Sequence, residues 1–228
     1  MIGVYDYTVI LTYCSLLSAS AGIAFSLSGY GHPYLGVFFL LFCGFCDAFD
    51  GKVASKKKNR SEEEKRFGIQ IDSLSDLVAF GVLPACIGFS LFQHSTFIKS
   101  FSLTNSWYIV FINIVCYATL LFYVLAALIR LAYFNVSEEE RQKRENGKRK
   151  MYTGLPVTSS AIIFPTLLLV QFLLKIDLTF IYFLLILGTG FAFLAKFQVK
   201  KLEMKGILLF VLVGVIEFLL LLILKLMK

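Results

Sequence analysis

Asp47 to Asp76 reads DAFDGKVASKKKNRSEEEKRFGIQIDSLSD. It contains two acidic pairs, Asp47 with Asp50 and Asp72 with Asp76. Spacings of three and four residues put the members of each pair on one helix face. All four carboxylates can therefore converge on one site. Both pairs lie where long apolar segments end or begin, and a carboxylate deep in a bilayer costs about 2.5–3.5 kcal/mol on insertion scales. Four together require cations. Oxygen ligands with room left for water or phosphate oxygens suit magnesium or manganese. The expectation from this stretch is a membrane-embedded metal enzyme acting on a phosphate ester.

The rest of the chain agrees with a bilayer setting. Of its 228 residues 58% are hydrophobic, and a mean hydropathy of +0.78 exceeds that of a water-soluble domain. The aromatic share is mostly Phe, which suits lipid-facing and helix-packing surfaces, and nothing points to nucleic acid. The formal charge of +7 gathers in a few connections, where it attracts anionic head groups or an anionic nucleotide. Cys14, Cys43, Cys46, Cys86 and Cys116 all fall in apolar stretches without metal-ligand spacing and read as core residues. The start, MIGVYDYTVI, lacks the basic region of a secretory signal, so the first apolar segment is expected to stay as a span.

A bilayer-crossing helix needs about 20 mainly apolar residues. Seven stretches qualify, near 7–29, 34–54, 69–94, 107–134, 154–174, 179–197 and 206–226. The connections alternate in charge: residues 52–66, 141–150 and 196–205 are basic, and those between are not. The positive-inside rule then puts the amino terminus and the Asp cluster on the cytoplasmic side and the carboxyl terminus outside. Thr8, Thr12, Ser15, Ser18, Ser20 and Gly22 predict close helix packing in the first segment. The basic run after Ser55 reads as a solvated turn or an interfacial helix, and residues 137–150 as a solvated loop. Gly81, Pro84, Gly88 and Pro165 mark kinks or close contacts, Gly188, Gly190 and Gly214 packing contacts. Glu217 is an isolated carboxylate in the last segment and belongs to no constellation.

Small residues accompany the acids. Gly51 follows Asp47 by four, Ala54 follows Asp50 by four, and Gly68 precedes Asp72 by four, so a bulky ligand can approach those backbones. Asp47 and Asp50 alone would read equally as a helix-end pair facing water; the second pair and the small residues set that reading aside. The pattern resembles the CDP-alcohol phosphotransferase signature, DxxDGxxAR followed by GxxxDxxxD, at Asp47, Asp50, Gly51, Ala54, Gly68, Asp72 and Asp76. The departure is Ser55, which stands where the family has arginine. It removes one contact to a substrate phosphate unless Lys56 or another nearby base substitutes.

The resemblance implies an all-α polytopic membrane bundle, a six-helix core with about one extra span. It treats residues 1–228 as a single catalytic domain, with helices from about 179 to 228 at the periphery. It implies two divalent ions between the aspartates and the diphosphate of a CDP-linked substrate. Asp47, Asp50 and Asp72 would be metal ligands, and Asp76 would contact the second ion and act as general base. Asp50, Gly51, Ala54 and Gly68 would receive the CDP group. DSLSDLVAFGVLPA, ALIRLAYFN and YTGLPV are similar to segments of the bacterial phosphatidylserine synthase branch. That likeness implies CDP-diacylglycerol and L-serine as substrates, a homodimer, and a place in the cytoplasmic membrane with the site facing the cytoplasm. Arg130, Arg149, Lys150, Thr153 and Gly154 are then candidates for the lipid phosphate or the serine carboxylate. Two other readings stand beside it: the same chemistry with glycerol phosphate or inositol phosphate as acceptor, and a magnesium transporter.

Overall fold

The computed structural model describes residues 3–28, 33–95, 106–144, 151–200, 212, 214–216 and 219–220. Its helices are α1 (Ile10–Leu27), α2 (Pro33–Ser55), α3 (Glu62–Asp76), α4 (Leu83–His94), α5 (Ser106–Arg144), α6 (Ser160–Leu174) and α7 (Thr179–Leu194). A π-helical turn, Leu77–Val82, joins α3 to α4, so Glu62–His94 is one continuous 33-residue span. Among the described residues, five helical segments are long and apolar enough to cross a membrane, and α7 is a shorter apolar helix. The protein is an all-α polytopic membrane bundle. Most of the expected seventh span at 206–226, including Glu217, lies outside the described residues.

Small and hydroxylated residues bring α1 onto α2, as expected from sequence. Thr12, Ser15, Ser18, Ala19 and Gly22 are buried. Ser18 Oγ donates to the Phe39 carbonyl at 3.1 Å, and a Cβ on Gly22 would sit 2.8 Å from that of Phe39. Ser20 departs from this set: it is exposed and bonds its own helix at the Leu16 carbonyl. Gly188 also departs, since nothing lies within 4 Å of its open side, whereas Gly190 packs against Phe122. The centre is filled by Leu40, Phe80, Leu83, Ile87, Tyr123, Phe164, Leu168, Tyr182 and Ile186, all fully buried. α7 therefore belongs to the core and not to the periphery, because Tyr182 and Ile186 reach the middle of the bundle. On α5, Trp107, Phe111, Ile114, Leu121 and Leu125 recur at steps of three, four or seven residues, one helix face, and stay exposed, a stripe suited to lipid.

The π turn has a local cause. Pro84 has no N–H to offer the carbonyl four residues before it, and its ring crowds that carbonyl. The carbonyl is that of Phe80, and Tyr123 Oη donates to it at 2.7 Å. The Tyr123 hydroxyl also lies 2.7 Å from Ser160 Oγ, while Tyr182 Oη donates to the Pro84 carbonyl at 2.7 Å. Hydroxyls from α5 and α7 thus serve the backbone where the helix ladder is interrupted, as a bilayer interior demands. Tyr123→Phe removes that donor and should lower stability by about 1–3 kcal/mol. The check is the unfolding temperature of the detergent-solubilised protein; an unchanged temperature would contradict this account.

Three boundaries differ from the sequence reading. α3 starts at Glu62, where Ser61 and Glu64 form a capping box. α5 continues ten residues past the expected end at 134, with Arg141 and Glu138 paired at 2.6 Å one turn apart, so SEEERQKR is helical and not loop. At 39 residues it is about 58 Å long, against a hydrocarbon core of about 30 Å. Finally, Met151–Thr153 and Gln198–Lys200 pair as a two-stranded antiparallel ribbon, a small addition to the all-helical expectation that flanks the spans expected at 154–174 and 179–197, whose helices are Ser160–Leu174 and Thr179–Leu194.

Candidate metal and substrate site

α2 carries Asp47 and Asp50 in its last turns, and α3 carries Asp72 and Asp76. Each of Asp47, Asp50 and Asp72 offers a carboxylate oxygen within 4.8 Å of the other two, and all three are half-buried. The Gly51 amide donates to the Asp50 carboxylate. Asp76 lies one turn past Asp72, is also half-buried, and stands outside that tight trio.

The helices are held in place close to the acids. Ser75 Oγ donates to the Thr12 carbonyl of α1 at 3.2 Å. Asn135 Nδ2 of α5 donates to Ser73 Oγ at 2.8 Å. α3 is thus pinned from two sides between Asp72 and Asp76. At its start, Lys57 Nζ bridges Asp6 at 2.6 Å and Glu64 at 2.9 Å, so the segment before α1 is tied to the connection between α2 and α3. The bonds from Lys57 and then Thr8 hold the Asp6 carboxyl down at about 2, and it stays charged across the physiological range. The sequence reading missed Asn135, Ser73 and Asp6, since each acts through a partner at least 51 positions away.

The small residues behave differently from one another. Nothing lies within 4 Å of a Cβ built on Gly51, so α2 has open space beside the acids. Ala54 is half-buried. The open side of Gly68 is taken by Arg60, whose Nη2 is 2.6 Å from where a Cβ would sit. Ser55 is exposed, and its Oγ donates to the Lys52 carbonyl at 2.8 Å. Lys56 is exposed as well.

Arg130 is buried, 5% exposed, with Nε donating to the Leu155 carbonyl at 3.2 Å and the guanidinium 5.6 Å from the Phe134 ring. A Cβ on Gly81 would meet that of Ala127 at 3.2 Å, and Ser73 meets Asn135. This antiparallel register sets Arg130 across from Val78, about 3 Å of helix rise from Asp76. Thr153 is half-buried at the end of the ribbon's first strand. Gly154 has φ +76°, its amide donates to the Phe197 carbonyl at 2.7 Å, and a Cβ there would lie 3.0 Å from the Ala195 carbonyl. That contact carries residues 154–155 onto the end of α7 and under Arg130. Arg149 and Lys150 lie outside the described residues.

Residues 8–192 match the family described as CDP-alcohol phosphatidyltransferase. The chain belongs to that family. It is 35% identical over 158 residues to the CDP-diacylglycerol–serine O-phosphatidyltransferase of Saccharomyces cerevisiae, covering 68% of this chain and 49% of that one. It is 25% identical over 174 residues to the Bacillus subtilis protein of the same name, covering 76% of each. To the archaetidylserine synthase of Methanothermobacter thermautotrophicus it is 29% identical over 168 residues, covering 73% of this chain and 60% of the relative. The match thus spans about half the length of the yeast relative. No solved structure matches this chain. Membership in the CDP-alcohol phosphatidyltransferase family implies a divalent-metal site. The donor set fits one, because three half-buried carboxylates within 4.8 Å repel each other unless a cation lies among them.

Proposed function

We propose that this protein is a phosphatidylserine synthase, transferring the phosphatidyl group of CDP-diacylglycerol to L-serine with release of CMP. The observation that carries the reading is the trio Asp47, Asp50 and Asp72, brought within 4.8 Å from two helices beside the open face of Gly51. The names of the relatives, two CDP-diacylglycerol–serine O-phosphatidyltransferases and an archaetidylserine synthase, favour serine as acceptor.

Asp47, Asp50 and Asp72 would hold magnesium or manganese, with Asp76 contacting a second ion. Bound metal would neutralise the diphosphate and stabilise the charge that develops as CMP leaves. Asp50, Gly51 and Ala54 would receive the CDP end, with Gly68 bordering it behind the Arg60 side chain that covers its open side. Serine Oγ bonds to the phosphorus that carries diacylglycerol, and the bond from that phosphorus to the CMP oxygen breaks. The hydroxyl proton passes to the Asp76 carboxylate, which lies one turn beyond Asp72 and is free to face the acceptor. Arg130, near the level of Asp76, would contact the lipid phosphate or the serine carboxylate, and Arg149, Lys150, Thr153 and Gly154 would border the same space. The richness of the α2–α3 connection in lysine and arginine favours a site facing the cytoplasm, in the cytoplasmic membrane, and the family resemblance favours a homodimer.

An acceptor panel tests the reading. The purified protein, given CDP-diacylglycerol and metal, is expected to release CMP with L-serine and not with glycerol 3-phosphate or inositol phosphate. Release with glycerol 3-phosphate alone would overturn the choice of acceptor. Metal flux through vesicles without nucleotide turnover would overturn the enzyme.

A further inference from the structure

Arg60 ends the connection between α2 and α3, and its side chain turns along α3 instead of into water. Nη2 donates to the Glu64 carbonyl at 3.1 Å and lies 2.6 Å from the place a Gly68 Cβ would take. Glu64, Gly68, Asp72 and Asp76 follow one another by four residues and form one stripe of the helix. The guanidinium therefore rests on the stripe that bears Asp72, about 6 Å of rise before it. Only a glycine at 68 leaves it that room.

This guanidinium is incompletely used. Its Nε is buried with no hydrogen-bond partner among the described residues. The acids near it are occupied elsewhere, Glu64 with Lys57 and the Ser61 amide, Glu62 with Lys65. A buried charged donor left unmade is costly and marks a place where a ligand acceptor belongs. Ser55 cannot serve as such a donor, being short and turned back on Lys52.

We propose that Arg60 binds the diphosphate of the CDP-linked lipid, supplying from the α2–α3 connection the guanidinium that Ser55 does not. The inference rests on the reaction proposed above. A diphosphate held at the aspartate trio extends toward the first turns of α3, where the planar fork of Arg60 meets its oxygens and Nε finds its acceptor.

The test compares Arg60→Ala, Arg60→Lys and the double variant Ser55→Arg/Arg60→Ala as full chains in detergent. Arg60→Ala should raise KM for CDP-diacylglycerol and weaken Mn2+-dependent binding of CDP about tenfold or more. KM for serine and the unfolding temperature should stay as in the parent. Arg60→Lys should fall between, and Ser55→Arg should restore part of the CDP affinity. Unchanged CDP binding in Arg60→Ala would overturn the proposal. So would an equal loss toward both substrates accompanied by a lower unfolding temperature, the mark of a merely structural residue. If CDP binding depends on Arg60 but the parent releases no CMP with any acceptor, the reaction reading fails and the binding role stands.

Discussion

The Asp76→Asn protein is expected to bind CDP much as the parent does while releasing CMP about 10²–10⁴-fold more slowly, the range a positioned acid–base group supplies. Asparagine keeps the shape of the side chain but cannot accept the serine proton. The contacts that pin α3 on either side, Ser75 to Thr12 and Asn135 to Ser73, do not involve Asp76, so the helix should stay where it is. Asp76 also lies outside the trio within 4.8 Å, and the ligands of the first ion remain. Single-turnover CMP release, measured beside CDP binding and Mn2+ stoichiometry, separates the roles. Turnover within tenfold of the parent would move the base elsewhere.

Metal removal should abolish turnover and act oppositely on the stability of two proteins. At 4.8 Å two carboxylates repel by roughly 3 kcal/mol at an effective dielectric constant of about 20. Without metal, Asp50→Asn sheds part of that repulsion and should unfold at a higher temperature than the parent. With Mn2+ at about 100 times its Kd, the parent should gain about 2.7 kcal/mol and Asp50→Asn far less. The order of the two unfolding temperatures then reverses on adding chelator. Equal stabilisation of both proteins by Mn2+ would remove Asp50 from the ligand set.

The acids were legible because a bilayer makes unpaired carboxylates intolerable and helical spacing says which of them share a face. The spans were legible for the same reason, from runs of apolar residues between charged breaks. Their ends were less so. Ser61 and Glu64 carry the capping-box pattern in the sequence itself, yet the basic run around them reads as either a turn or an interfacial helix when hydropathy and charge alone are followed. The extension of α5 through Arg144 rests on helix-forming charged residues that look like solvated loop once the apolar run stops. Non-local contacts were out of reach: the pairing of 151–153 with 198–200 joins partners 45 to 49 residues apart. The fit of Arg60 over Gly68 depends on the path of a short turn, and spacing says nothing of that path.

Pro84 and Tyr123 sit on different helices yet act on a single acceptor, the Phe80 carbonyl. Restoring a main-chain amide at position 84 would set a second donor competing with the phenol, and deleting the phenol while keeping proline would leave the oxygen short of one. The two sites therefore cannot be redesigned one at a time: substitutions there are non-additive, and a stabilising change at one must be chosen with the other in hand.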